Sequence, residues 1–186
     1  MQKRRTTKEL IADSFIELSE DRSIDKITIK DIVGNCELTA TTFYNHFHDK
    51  YDLIVWIYST AVEKIMNKIG KCGYEWRDTL FDGIKYSVDN RKFLINAIIH
   101  TEGHNSFISH VSKVNYKVLS DYIKMSNKLE ELPQNIEVLV KIYVYGTVCM
   151  MCEWLINKMP IPMEKFIQLI EEGVPEPLKK YLYKID

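Results

Sequence analysis

Four cysteines among 186 residues, Cys36, Cys72, Cys149 and Cys152, do not make a disulfide framework. Cys149 and Cys152 form a C-x-x-C, but they sit in an apolar helical run with Val148, Met150 and Met151. No second pair and no loop surrounds them, so buried thiols acting as small hydrophobes fit better than a redox or metal site. Net charge is almost absent, at -1. That excludes a wholesale polyanion binder and leaves any nucleic-acid contact to local charge placement. The first residues are charged and carry no apolar signal core, so a cytoplasmic location is expected. There is no H-E-x-x-H, no phosphate-binding glycine loop and no nucleophile elbow. His100, Glu102, His104 and His110 crowd together, but Gly103 breaks the helix between them. Exposed polar residues at a helix corner explain them better than a metal. No catalysis, no cofactor and no metal are therefore expected. Strands, repeats and low-complexity segments are missing too.

What is present is helical periodicity. Hydrophobic content of 46% allows a real core. Leu10, Ile11, Phe15 and Leu18 recur at helical spacing after Thr6 and Thr7, either of which can cap. Residues 28–53 read TIKDIVGNCELTATTFYNHFHDKYDL. Thr28 and Asp31 form a helix-start signature, followed by the stripe Ile29, Ile32 and Val33. Gly34 and Asn35 break it. Thr39 can cap a second helix, in which Phe43 and Phe47 share one face. Asp49 and Asp52 can cap a third. Two short helices around a tight turn predict a helix-turn-helix.

If Phe43 and Phe47 face inward, Thr41, Thr42, Tyr44, Asn45 and His46 lie largely elsewhere. Thr39 and Ala40 then sit at the exposed N-terminus of that helix. Such groups suit a major groove: Thr can approach a thymine methyl, Asn can pair with adenine, and Tyr44 and Lys50 can reach phosphates. Lys3, Arg4, Arg5 and Lys8 crowd the start and can track the DNA backbone.

This stretch resembles the N-terminal DNA-binding domain of TetR/AcrR-family regulators. The family pattern is T-x-x-x-I-A-x-x-A-G-V-S-x-x-T-[LF]-Y-x-[YH]-F-x-[DN]-K-[ED]-x-L. Thr28, Ile32, Thr42, Phe43, Tyr44, Phe47 and Lys50 match it. Val33, Cys36, Leu38 and Thr39 are close substitutes, while Glu37 stands at the turn glycine. A non-glycine residue there predicts strain at positive φ. The resemblance implies that Tyr44 and Lys50 contact phosphates, and that Thr28 belongs to the DNA-binding set.

The third helix is predicted to run from about residue 50 through Ile57, Ala61, Ile65 and Ile69, ending at Gly70 and Gly73. Its start marks the expected boundary between a head, residues 1–50, and a second domain, residues 51–186. From Trp76 onward only helical patterns appear. Residues 134–159 form the most apolar helix, too charged at its ends for a membrane span. A helix apolar nearly all round must be buried on several sides. In TetR-like regulators the last two long helices make a two-fold dimer interface, and this helix with residues 163–172 is similar in position and character. Tyr143, Gly146, Thr147, Met150, Trp154, Phe166 and Ile170 are the expected interface. The segment YVYGTVCMMCEWLINKMP also resembles a TetR subgroup that includes regulators of dihydroxyacetone kinase operons. Trp76, Phe81, Tyr86, Tyr116 and Met150 can line a cavity, although plain core is commoner for such residues.

The expected fold is all-α: a three-helix DNA-binding head with a helix-turn-helix, then a helical ligand-binding and dimerisation domain. The expected function is a homodimeric regulator of a two-fold double-stranded DNA operator, controlled by a small-molecule effector or a partner protein. The alternative is a helical protein-binding module that no longer reads DNA.

Overall fold

The computed structural model describes residues 5–101 and 106–183. Among the described residues there are ten α-helices, one 3-10 turn and no strand. The first helix, α1 (Thr7–Ser19), starts in a capping box. The Thr6 hydroxyl accepts from the Glu9 N–H, and the Glu9 carboxylate accepts from the Thr6 N–H. A 3-10 turn (Ile24–Lys26) leads to α2 (Ile29–Asn35), which repeats the device with Thr28 and Asp31. Hydrogen bonds from the Thr28 hydroxyl and N–H, then from Arg22, hold the Asp31 carboxyl down to about 2. Next comes α3 (Ala40–Tyr44), capped by Thr39, whose hydroxyl accepts from the Thr42 N–H at 3.1 Å. These three helices close over Ile11, Phe15, Ile24, Ile27, Ile32, Phe43 and Leu53, each with no exposed surface.

Asp49 caps α4 (Lys50–Met66) by accepting from the Tyr51 and Asp52 N–H groups, both at 2.8 Å. The apolar pattern predicts helix as far as Ile69. The helix instead ends at Met66, and Ile69 is buried from a run of turns closed by Gly70 and Gly73 at φ +75° and +76°. Only glycine adopts that backbone without strain. Because α4 faces both ways, it joins the two halves. Trp56 packs edge-on to Phe47 in the head, and Tyr58 packs edge-on to Phe107 beyond it.

The rest is a helical bundle: α5 (Trp76–Asp89), α6 (Arg91–Ile99), α7 (Phe107–Ser126), α8 (Gln134–Ile156), α9 (Met163–Glu172) and α10 (Glu176–Leu182). Within it, α8 packs on α6, α7 and α10, α7 also packs on α4, and α5 packs on α9. By length and composition alone α8 is long and apolar enough to cross a bilayer, a test that buried core helices also pass. In the fold it is a core helix on one side, with Ile136, Val140, Val144, Val148, Met151 and Leu155 buried.

Candidate nucleic-acid interface

The turn between α2 and α3 shows how a glutamate replaces glycine. Glu37 sits at φ +56°. The Leu38 N–H bonds to the Val33 carbonyl at 2.8 Å, and the Glu37 N–H to the Gly34 carbonyl at 3.4 Å. That is a Schellman closure, which requires a left-handed residue after the helix. The strain expected of Glu37 is therefore present, and the closing bonds hold it.

The helix α3 is shorter than its pattern suggests. It ends at Tyr44, but turn bonds from the His46 and Phe47 N–H groups to the Phe43 carbonyl, both 2.9 Å, keep Phe47 on the inner face. Phe43 and Phe47 are buried, with ring centroids 5.7 Å apart. Over them, Thr39, Ala40, Thr41, Tyr44 and Asn45 are exposed, while Thr42 and His46 are half-buried. The Tyr44 side has 59% of its surface open. Thr28 is exposed as well, although its hydroxyl already serves the α2 cap. Lys3 and Arg4 lie outside the described residues. Arg5 pairs with Asp13 at 2.9 Å, both largely exposed, so that pair is weak and can be exchanged for a phosphate.

Lys50 corrects the expected phosphate contact. Its Nζ donates to the carbonyls of Ile24, Asp25 and Ile27 at 2.8, 2.9 and 3.1 Å. An ammonium has three N–H donors, and all three are engaged inward. Burial lowers the pKa of this lysine, with the Asp25 carboxylate opposing. Lys50 ties the start of α4 to the 3-10 turn. Lys50→Met should therefore lower stability by roughly 1.5–3 kcal/mol, the range for hydrogen bonds to a charged group, in urea denaturation. The salt dependence of DNA binding should hardly change. Normal stability with a salt slope reduced by about one unit would restore the phosphate role.

Asn96 holds the same turn from the other side, and nothing in its spacing announced it. From α6, its Oδ1 accepts from the Ile24 N–H at 2.9 Å, and its Nδ2 donates to the Ser19 and Arg22 carbonyls at 2.9 and 2.7 Å. Phe15 and Phe93 meet edge-on beside it, and His100 Nδ1 lies 3.4 Å from the Asp25 carboxylate. The head is thus fastened to α6 as well as to α4. Glu102 and His104 lie outside the described residues. His110 Nδ1 lies 3.1 Å from the Ser106 carbonyl. Among the described residues no cluster of three or more His, Cys, Asp or Glu forms a metal-binding group.

The expected interface set splits in two. Tyr143, Trp154 and Phe166 are buried inside the chain, not on its surface. Tyr143 donates to the Ile170 carbonyl at 3.2 Å. Trp154 donates to the Ile161 carbonyl at 3.0 Å and stacks on Phe166 at 4.5 Å. Gly146 and Met150 are exposed, while Thr147 and Ile170 are half-buried. Val138, Ile142, Tyr145 and Ile156 on α8, and Leu169 on α9, are exposed large apolar residues that complete this face.

A cavity of about 110 Å³ lies among α4, α5, α7 and α8. Trp76 and Tyr86 line it, where plain core is the commoner expectation for such residues. Phe81 and Met150 are exposed instead, and the half-buried Tyr116 donates to Glu137 at 3.1 Å. Cys152 is buried and its thiol is pushed up to about 12 by burial, whereas Cys149 is exposed, so the pair does not share one environment.

An all-α chain with a capped helix-turn-helix fastened to a bundle around a cavity has the architecture of a one-component transcription regulator. The TetR_C_8 family model, a transcriptional regulator C-terminal region, matches residues 74–174. The chain belongs to the TetR family of transcriptional regulators. It is 27% identical over 93 residues to the HTH-type dhaKLM operon transcriptional activator DhaS of Lactococcus lactis subsp. lactis (strain IL1403). That match spans about half of each protein, 50% of this chain and 49% of the relative. Among solved structures, the dihydroxyacetone kinase operon activator DhaS superposes with TM-score 0.65 at 20% identity, covering 95% of this chain and 98% of that one. A TetR transcriptional regulator from Streptococcus agalactiae 2603V gives TM-score 0.62 at 16% identity, covering 91% and 94%. These structural likenesses show the fold.

Proposed function

We propose that this protein binds a two-fold DNA operator as a homodimer, and that occupancy of the C-terminal domain changes its affinity for DNA. The exposed set Thr41, Tyr44 and Asn45, standing over the buried Phe43 and Phe47, carries this reading. Rigid packing below and hydrogen-bonding groups above suit a helix presented to a major groove. Two such helices about 34–36 Å apart would read successive grooves on one side of the duplex. A bound molecule that favours another spacing lowers operator affinity by its differential affinity for the two conformations. The double fastening of the 3-10 turn, by Lys50 and Asn96, supports a head that follows α4 and α6. The related dhaKLM regulator is described as an activator, which favours positive control here.

The test is to sequence the DNA fragments that the purified protein retains. An inverted repeat should emerge. Asn45→Ala should relax base preference at one position of each half-site, by about 1–3 kcal/mol. Tyr44→Phe should weaken all sequences alike, since a lost phosphate contact carries no base information. No enriched fragment would favour the protein-binding module instead.

A further inference from the structure

The chain passes from the head into the bundle along α4, and a head joined by one helix can pivot about it. A second attachment comes from α6. Phe93, Asn96 and His100 follow at steps of three and four residues, so they share the face that α6 turns to the head. Phe93 meets Phe15 edge-on, with ring centroids 6.0 Å apart. An apolar contact of this kind is non-directional and tolerates sliding. His100 Nδ1 lies 3.4 Å from the Asp25 carboxylate, and Lys92 Nζ lies 3.7 Å from Glu20. Both pairs face solvent, so they hold little.

Asn96 is different. Its Oδ1 accepts from the Ile24 N–H, and its Nδ2 donates to the Ser19 and Arg22 carbonyls. A carboxamide has two N–H donors and one acceptor oxygen, and here each of them is used. Turning the amide over would set Oδ1 against two carbonyls and Nδ2 against an N–H, so a single orientation fits. Three bonds spread over residues 19–24 fix both the position and the rotation of the 3-10 turn on α6. Lys50 takes the Ile24 carbonyl from the start of α4 at 2.8 Å. Ile24 is thus gripped by its N–H from α6 and by its C=O from α4, while its side chain has no exposed surface. In turn, α4 and α6 each pack on α5 and α7. Two separate grips on one residue take away the pivot.

We propose that Asn96 is a positioning residue: its carboxamide sets the angle of the head on the bundle, and through it the distance between the two reading helices of a dimer. The proposal rests on the reading of this chain as a dimeric operator-binding protein, and it names the side chain on which the spacing of the heads depends. The Asn96 bonds reach residues 19–24 and not α3, so their loss acts on geometry rather than on base contacts. Leucine at this position has a similar bulk and no polar atom. The core of the head, with Phe15, Phe43 and Leu53, does not depend on the amide, so the head stays folded without it.

The experiment compares the full wild-type chain with Asn96→Leu in two arms. The first uses no DNA. Nitroxide labels are attached through Lys30→Cys on α2 and Lys113→Cys on α7, both exposed positions, with Cys36, Cys72 and Cys149 changed to Ser. The labelled chain is diluted into excess unlabelled chain. Pulsed electron spin resonance should give one narrow distance distribution with Asn96 present, and one about twice as wide or more in Asn96→Leu. The second arm uses the selected operator and a version with two base pairs inserted between its half-sites, which moves one half-site by about 7 Å and turns it by about 70°. The wild type should lose roughly 10-fold or more in affinity on insertion, and Asn96→Leu about 3-fold or less, since a loosely held head can follow the displaced site. Affinity for a single half-site should be the same in both. An unchanged distance distribution, or equal penalties for the insertion, would overturn the proposal. If Asn96→Leu does not fold, the wild type decides: a broad distribution, or indifference to the insertion, overturns it. If no operator is selected, the DNA reading fails, and the first arm still decides the role of Asn96.

Discussion

Ile142→Arg should turn a dimer into monomers and lower operator affinity by roughly 100-fold or more, because two linked heads bind far more tightly than one. Ile142 is 62% exposed in the middle of α8. Val138, Tyr145, Cys149 and Ile156 continue the same stripe at steps of three, four and seven residues, and Met150 adjoins it. Such spacing places them along one face. Gly146 lies in this stripe, and a Cβ built there meets nothing within 4 Å, so a second helix can approach closely. Leu169 on α9 is exposed as well. Exposed large apolar residues repeated along one helix face point to an interaction site. A second copy is the economical cover, since a two-fold interface matches a patch with itself. An interface of standard size, about 1,600 Å², is expected. An arginine at its centre would meet its own symmetry mate, two like charges in a drying contact. The head should stay folded, because Ile142 is exposed on a helix that packs mainly on α6, α7 and α10. Sedimentation at micromolar concentration checks the assembly, and a gel shift checks the affinity. A monomeric wild type, or an Ile142→Arg variant that still dimerises, would remove this interface.

How much of this was legible in the sequence depends on whether a residue's role is local. Thr28 and Asp31 bond to each other within one turn, so spacing alone revealed the cap. Phe43 and Phe47 share a face whatever they pack on. The all-α class and the helix-turn-helix followed from such local signals. Lys50 was misjudged because its partners, the carbonyls of Ile24, Asp25 and Ile27, are more than twenty residues away. A lysine near a reading helix looks like a phosphate ligand until those carbonyls converge on it. Asn96 was invisible for the same reason. On α8 the difficulty is different. A helix apolar nearly all round carries no pattern that separates its inner face from its outer one. Tyr143 and Trp154 were assigned outward on their size and spacing, but each has a polar atom that needed a buried carbonyl, and found one at Ile170 and Ile161.

Phe47→Ala should cost roughly 3–5 kcal/mol, the usual range for emptying a buried aromatic site. Phe47 is 2% exposed. Phe15, Ile32 and Leu53 belong to the same core, and the ring partners of Phe47 are Phe43 at 5.7 Å and Trp56 at 5.6 Å. The Lys8 ammonium lies 5.2 Å from the ring centre. Phe47 therefore joins α1, α3 and α4 at one point. A helix of five residues such as α3 has no stability of its own. The Thr39 cap and the two phenylalanines do much to hold it in place, so removing one of them loosens the surface that would read DNA. A whole domain is commonly stable by 5–15 kcal/mol, and this loss is a large part of that. Amide exchange in residues 40–47 should accelerate strongly, while exchange in the middle of α8 should change much less. DNA binding should fall with the folded fraction of the head. Phe47→Leu, which refills most of the space, should recover most of the stability. A Phe47→Ala variant within about 1 kcal/mol of the wild type in urea would mean that this ring does not anchor the reading helix, since a collapsed or well-filled site is the only way to avoid the cavity cost.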